Sequence, residues 1–174
     1  MKQVLSLLVR DQAGVLNRIS GLFLRRGYNI EAITVGKSER MGLSRMTIVV
    51  EVEDARAREQ VKKQLHKQID VIKVIDLTDR PTVARELALI RVSATAQERS
   101  EINHLIEPFR ARILDVGKVS VTIEVTGGND KIEALIELLR PYGIREIART
   151  GLTALGREPL ERSTEQDVTE ASLV

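Results

Sequence analysis

Residues 11–30 read DQAGVLNRISGLFLRRGYNI, and this stretch decides the fold. Asp11-Gln12-Ala13-Gly14 is a polar turn, after which Leu16, Ile19, Leu22 and Phe23 recur at helical spacing along Val15 to Arg26. Gly27 closes that helix, because a residue without Cβ takes the left-handed cap conformation at no steric cost. Upstream lies the strand-like apolar run Gln3 to Val9. Downstream, Asn29 to Val35 and Leu43 to Val52 are rich in β-branched residues, and the polar segment Gly36 to Gly42 joins them as a hairpin. Asp54 stands where a second helix needs its N-cap, and that helix runs to about Gln68 with Val61 and Leu65 inward. Val71 to Leu77 supplies a fourth strand, so the order is βαββαβ, with two helices on one face of an antiparallel sheet.

After the linker Thr78-Asp79-Arg80-Pro81 the same order starts again. Leu87 to Ala94 reads as a strand, Gln97 to Phe109 as a helix, Ile113 to Val116 and Val119 to Val125 as strands, Lys131 to Leu139 as a helix and Ile144 to Ala148 as the last strand. The expectation is an α+β chain of two tandem ferredoxin-like βαββαβ domains, residues 1–78 and 79–156, with a polar, aperiodic and therefore flexible tail at 157–174.

Composition narrows the function. Apolar residues make up 43% of the chain and charged ones 30%, the balance of a soluble globular protein, and the longest N-terminal apolar run, cut by Arg10, is too short for a signal core or a membrane span. A cytoplasmic chain that does not enter the membrane is expected. The calculated pI is 9.0, yet the 27 Lys and Arg are interleaved with 25 Asp and Glu, which is not a nucleic-acid footprint. The absence of cysteine excludes disulfides and thiolate chemistry. With two Phe, two Tyr and no Trp, any ligand is held by backbone and aliphatic groups rather than by aromatic stacking.

No catalytic constellation is legible. His66 and His104 each stand on an expected helix without a cysteine, histidine or carboxylate at metal-ligand spacing, and no serine sits in a G-x-S-x-G turn. Gly127-Gly128-Asn129-Asp130-Lys131 lacks the spacing of a phosphate-binding loop and reads as a capped turn. The basic helix Arg56 to Lys67 reads either as a solvated face or as a subunit contact.

The turn at Asp11 to Gly14 has two readings. It leads straight into a helix whose first N–H groups and dipole suit an anion such as a free carboxylate, and Gly14 allows close approach to the backbone. Equally, Asp11 caps the turn and Gly14 merely supplies a permissive dihedral angle. In the strand order usual for this plan, 4-1-3-2, the strand begun by Asn29 lies at the sheet edge, where a second copy can pair. Two copies so joined would bring Asn29, Ile30 and Val35 of one near Asp11 to Leu16 of the other, in a crevice polar at one end and aliphatic at the other.

Several motifs together resemble one family. Asp11-Gln12-Ala13-Gly14-Val15-Leu16, Gly21-Leu22-Phe23, Arg25-Arg26-Gly27-Tyr28-Asn29-Ile30 and Ser44-Arg45-Met46-Thr47-Ile48-Val49 resemble the ACT domain of acetohydroxyacid (acetolactate) synthase small subunits. Arg85-Glu86-Leu87-Ala88-Leu89-Ile90, Phe109-Arg110-Ala111-Arg112 and Ile144 to Gly151 resemble that family's C-terminal domain, so the likeness covers about residues 1 to 156. It implies a homodimeric, non-catalytic regulator that binds valine, or leucine or isoleucine, between ACT domains, activates a catalytic large subunit and confers feedback inhibition on it. Thiamine diphosphate, a divalent ion such as Mg and FAD are implied for that large subunit and none for this chain. Carried over by position, Asp11, Gly14, Val15 and Leu16 would take the effector carboxylate, Asn29 would meet its polar groups, and Ile30 and Val35 would line its aliphatic side. Some members have Asn where this chain has Asp11.

Two other readings share the βαββαβ plan. A stand-alone ACT-type sensor regulating a different partner is separated from the first by co-purification. An RNA-binding module needs exposed aromatics on its third strand, and Leu43 to Val52 has none.

Overall fold

The computed structural model describes residues 1–158, so the expected flexible tail lies, from residue 159 on, outside the described residues. The chain runs β1 (Lys2–Arg10), α1 (Val15–Arg25), β2 (Ile30–Lys37), β3 (Leu43–Glu51), α2 (Ala55–His66) and β4 (Val71–Asp76). It continues through β5 (Thr82–Ser93), α3 (Glu98–Ile106), β6 (Arg112–Val116), β7 (Ser120–Gly127), α4 (Asn129–Leu139), β8 (Ile144–Arg149) and β9 (Thr153–Gly156). The first sheet has the order β2-β3-β1-β4 and the second β6-β7-β5-β8, all antiparallel, so the same split plan is built twice, as the order of elements predicts.

Each sheet closes its own core against its own helices. In the first, Leu5, Leu7 and Val9 of β1 and Met46, Ile48 and Val50 of β3 meet Ile19, Leu22 and Phe23 of α1 and Val61 and Leu65 of α2. In the second, Ala88, Ile90 and Val92 meet Ile102, Ile106, Ile132, Leu135 and Leu139. Asp54 caps α2 as its position predicts, accepting from the Ala57 N–H at 2.7 Å. Gly27 at φ +70° is the left-handed residue that ends α1.

Three details differ from the sequence reading. Leu16 is half exposed, at 47%, and the buried stripe of α1 is Val15, Ile19, Leu22 and Phe23, whose spacing follows the 3.6-residue period with Leu16 one step off its centre. Asn29 precedes β2 rather than beginning it, because its carbonyl accepts from the Glu51 N–H at 3.1 Å while the ladder proper starts at Ile30. The expected strand Leu87 to Ala94 starts earlier, at Thr82, and a strand absent from the sequence reading, β9, pairs with that early portion from Thr82↔Gly156 to Arg85↔Thr153. The charged residues Arg85 and Glu86 mask the strand in the sequence, and its partner lies some seventy positions away, beyond any local pattern.

β9 changes the environment of the first sheet. Ser6 and Leu8 of β1 and Thr47 and Val49 of β3 point away from the helices, yet all four are buried, at 3 to 7% exposure. The residues after β8 cross onto this second face, and Ala154, 1% exposed, donates its N–H to the Thr47 hydroxyl at 3.3 Å. A sheet that the plan leaves open on one side is thereby covered on both.

Candidate functional site

Gly14 adopts φ +84°, ψ −9° immediately before α1, a left-handed conformation that side-chain-bearing residues enter only with strain. No side chain caps the helix; the Val15 N–H donates to the Gln12 carbonyl at 3.4 Å, and the N–H groups of Leu16 and Asn17 remain available at the helix start. Asp11, Gly14 and Leu16 are exposed around this opening, while Val15 anchors the turn in the core at 2% exposure. The loop is held from below: the Asp11 N–H donates to the Gly42 carbonyl at 2.8 Å and the Arg10 N–H to the Asp70 carbonyl at 2.9 Å.

One cation at this turn escaped the sequence reading. A Cβ built on Gly14 would lie 3.1 Å from the Arg18 Nη1, so the guanidinium stands directly over the glycine. Arg18 is itself fixed by the largely buried Asp70 carboxylate, with both Nε and Nη2 at 2.7 Å from Oδ2. The spacing Gly14 to Arg18 puts both on one side of a helical turn, which was visible, but the partner lies 52 positions later and was not. Chemically the turn combines unpaired N–H groups, a helix dipole and a positioned guanidinium, all favouring an anion, against the Asp11 carboxylate at the rim.

Of the other three expected residues, Val35 lies at the turn end of the sheet, while Asn29 and Ile30 stand apart from the turn within one chain. Val35 pairs with Met46, which pairs with Leu7, near the turn; Ile30 pairs with Val50, which pairs with Gln3, about 13 Å further along the sheet at 3.3 Å per residue. Asn29 is exposed at that far end, Ile30 is half-buried against the core, and Val35 is 49% exposed. Both apolar side chains face the helix side of β2, and β2 is an edge strand, as expected.

The histidines take no part. His104 places Nδ1 2.7 Å from the Ser100 carbonyl on the exposed face of α3, and His66 lies in a surface groove of α2 among Arg26, Arg56, Lys63 and Lys67. Among the described residues no group of three or more His, Cys, Asp and Glu is arranged to hold a metal ion, and no helix is long and apolar enough to cross a membrane.

Two family models divide the chain: residues 5–73 match the AHAS small subunit-like ACT domain and residues 85–158 match the small subunit of acetolactate synthase. The chain belongs to the acetolactate synthase small-subunit family. It is 56% identical to the acetolactate synthase small subunit of Bacillus subtilis across 94% of this chain and 95% of that protein. It is 51% identical to the acetolactate synthase small subunit of Mycolicibacterium smegmatis across 89% of this chain and 91% of that protein. The crystal structure of the acetolactate synthase small subunit from Thermotoga maritima superposes with a TM-score of 0.83 at 42% identity, covering 92% of this chain and 99% of that one. Small-subunit membership together with the ACT domain gives the chain a regulatory role in that enzyme system. Within the ACT domain lie all seven expected site residues, from Asp11 to Val35.

Proposed function

We propose that this chain is the regulatory subunit that assembles with an acetolactate synthase catalytic large subunit, raises its activity and makes it sensitive to valine, with leucine or isoleucine as related effectors. The observation that carries the reading is the left-handed Gly14 at an uncapped helix start, with the Arg18 guanidinium fixed over it. Such a turn suits the α-carboxylate of a free amino acid, and the aliphatic Ile30 and Val35 suit a branched side chain. The site is completed in a homodimer. Antiparallel pairing of two β2 edges sets the Asn29–Ile30 end of one chain beside the loop end of the other, which unites the two groups that one chain keeps apart. The ACT half, residues 1–78, is then the sensing unit and residues 79–156 carry its state onward, in a cytoplasmic complex. Thiamine diphosphate, a divalent metal ion and FAD belong to the catalytic partner, which carries out all the carbon chemistry.

Acetolactate formation by the purified catalytic subunit, with and without this chain across a valine titration, tests the proposal. Stimulation that valine reverses is the expected result. Stimulation without a valine response retains the partner and removes valine as effector; no stimulation and no complex at any ratio overturns the regulatory assignment in favour of a stand-alone sensor. Gly14→Asp is expected to keep stimulation and lose valine inhibition, because it adds bulk at a left-handed position and a charge against the effector carboxylate. Valine inhibition unchanged in that variant would remove the turn from the site.

A further inference from the structure

The segment between β8 and β9 touches the face of β2 opposite the one assigned to the effector. Gly151, at φ +79°, approaches so closely that a Cβ built on it would lie 3.0 Å from the Ala32 Cβ. The Thr34 hydroxyl donates to the Leu152 carbonyl at 3.0 Å, and the Thr153 hydroxyl lies 3.5 Å from that of Thr34. Next in the strap, the Ala154 N–H donates to Thr47, the cross-strand partner of Thr34. Strand alternation then sets the geometry: Ile33 and Val35 point to the helix side, while Ala32 and Thr34 between and beside them meet the strap. A displacement of the β2 edge therefore reaches the strap within one residue.

At its other end the strap is clamped. Arg149, the residue before Thr150, donates Nε and Nη2 to the Glu86 carboxylate at 2.6 and 3.0 Å, Nη1 to Glu133 at 2.6 Å and Nη2 to Asn129 at 3.2 Å. Glu86 is 6% exposed, and Asn129 and Glu133 lie in the first turns of α4. A rigid anchor on the second domain and a hydrogen-bonded contact on the effector strand of the first make a continuous mechanical path between the two halves.

We infer that Thr34 is a positioning residue for the effector strand and that residues 150–154 are the strap through which the state of β2 reaches the C-terminal domain. The effector role of β2 rests on the function proposed above; the link itself does not. Ligand binding at the β2 edge shifts the domain arrangement only if the strap follows β2, since only a difference in affinity between two states moves an equilibrium.

The test uses the full-length chain, alone and with its catalytic subunit, as wild type, Thr34→Val, which removes the donor at nearly constant shape, and Thr34→Ser, which restores it. Without effector, Thr34→Val is expected to speed amide exchange at 144–156 at least threefold and to leave Arg112–Gly127 unchanged. With valine, it is expected to bind within threefold of wild type and to stimulate the catalytic subunit normally, yet to lose both valine-induced protection of 150–156 and at least two thirds of the maximal inhibition. Thr34→Ser should recover both. Inhibition of Thr34→Val equal to wild type overturns the inference, as does joint loss of binding and inhibition that serine fails to rescue. Should the wild-type chain bind none of the three branched-chain amino acids, the effector reading fails and the exchange comparison alone decides the link: unchanged exchange at 144–156 overturns it.

Discussion

Gly14 and Arg110 share a left-handed backbone, at φ +84° and +50°, for different reasons. At Gly14 the conformation turns the chain into α1 beneath an exposed opening, so its permissiveness serves the proposed effector site. Arg110 merely ends the 3-10 turn Glu107–Phe109, its N–H donating to the Glu107 carbonyl at 2.8 Å, and it bears the Cβ crowding that glycine avoids. Arg110→Gly is expected to stabilise the fold by about 0.5–1 kcal/mol, the left-handed strain less the entropy cost of glycine, read as a higher urea midpoint at constant slope. Asp11 makes the opposite kind of contribution, since its carboxylate stands at the rim of a turn that favours anions. Asp11→Asn should lower the valine concentration for half-inhibition by about threefold, a modest gain because exposed charges are screened. An unchanged or raised value would mean that Asp11 points away from the ligand.

Between elements, the tie that matters most for the first domain joins β1, α2 and β4 through Asp76. Its carboxylate accepts from Arg58 Nε at 2.8 Å and Nη2 at 3.0 Å, from the Thr78 hydroxyl at 2.6 Å and from the Gln3 amide at 2.9 Å. Burial alone would raise this carboxyl, but the hydrogen bonds from Arg58, Thr78 and Gln3 outweigh it and hold the group well below the usual carboxylate range. A folded-state value lower than the unfolded one, roughly 4, means stability that is full above that pH and is lost as pH falls toward the lower folded value. Asp76→Asn is therefore expected to cost about 1.5–3 kcal/mol near neutrality and to flatten the acid limb of the stability curve below about pH 4, measured by urea unfolding across pH. Part of this was legible in advance, since Asp54 as a cap and the inward Val61 and Leu65 of α2 follow from spacing. The Asp76 network was not, because Gln3, Arg58 and Asp76 come together only when three elements pack, up to 73 positions apart.

The molecule as a unit depends on an arrangement that neither half contains alone. On the face that the strap crosses, the first sheet buries Leu8 and Val49, and a Cβ built on Gly156 would lie 3.5 Å from Leu77 Cδ2 at the junction of the halves. A chain ended after Arg149 would expose that face, with an expected loss of about 3 kcal/mol from the two aliphatic side chains and increased binding of an apolar dye. Stability and dye binding equal to those of the full chain would show that β9 contributes little to the first domain. The corresponding face of the second sheet stays exposed or half-buried and carries the ion pairs Arg91–Glu146 and Arg112–Glu124, so the two copies of one plan have different surroundings.

By itself the sequence determined the order of elements, the duplicated plan, the edge position of the second strand and the glycine-led helix start, because each follows from side-chain period, β-branching or a backbone requirement acting over a few residues. Tertiary structure alone decided that Arg18 stands over Gly14 under the hold of Asp70, that Asn29 and Ile30 lie at the opposite end of the sheet from the loop, and that a ninth strand seals the first domain. These contacts join residues from tens to more than a hundred positions apart, and no local pattern encodes them. The reason is physical: hydrogen bonds and burial reward whichever surfaces the two finished sheets present to one another, and those surfaces exist only once both have formed.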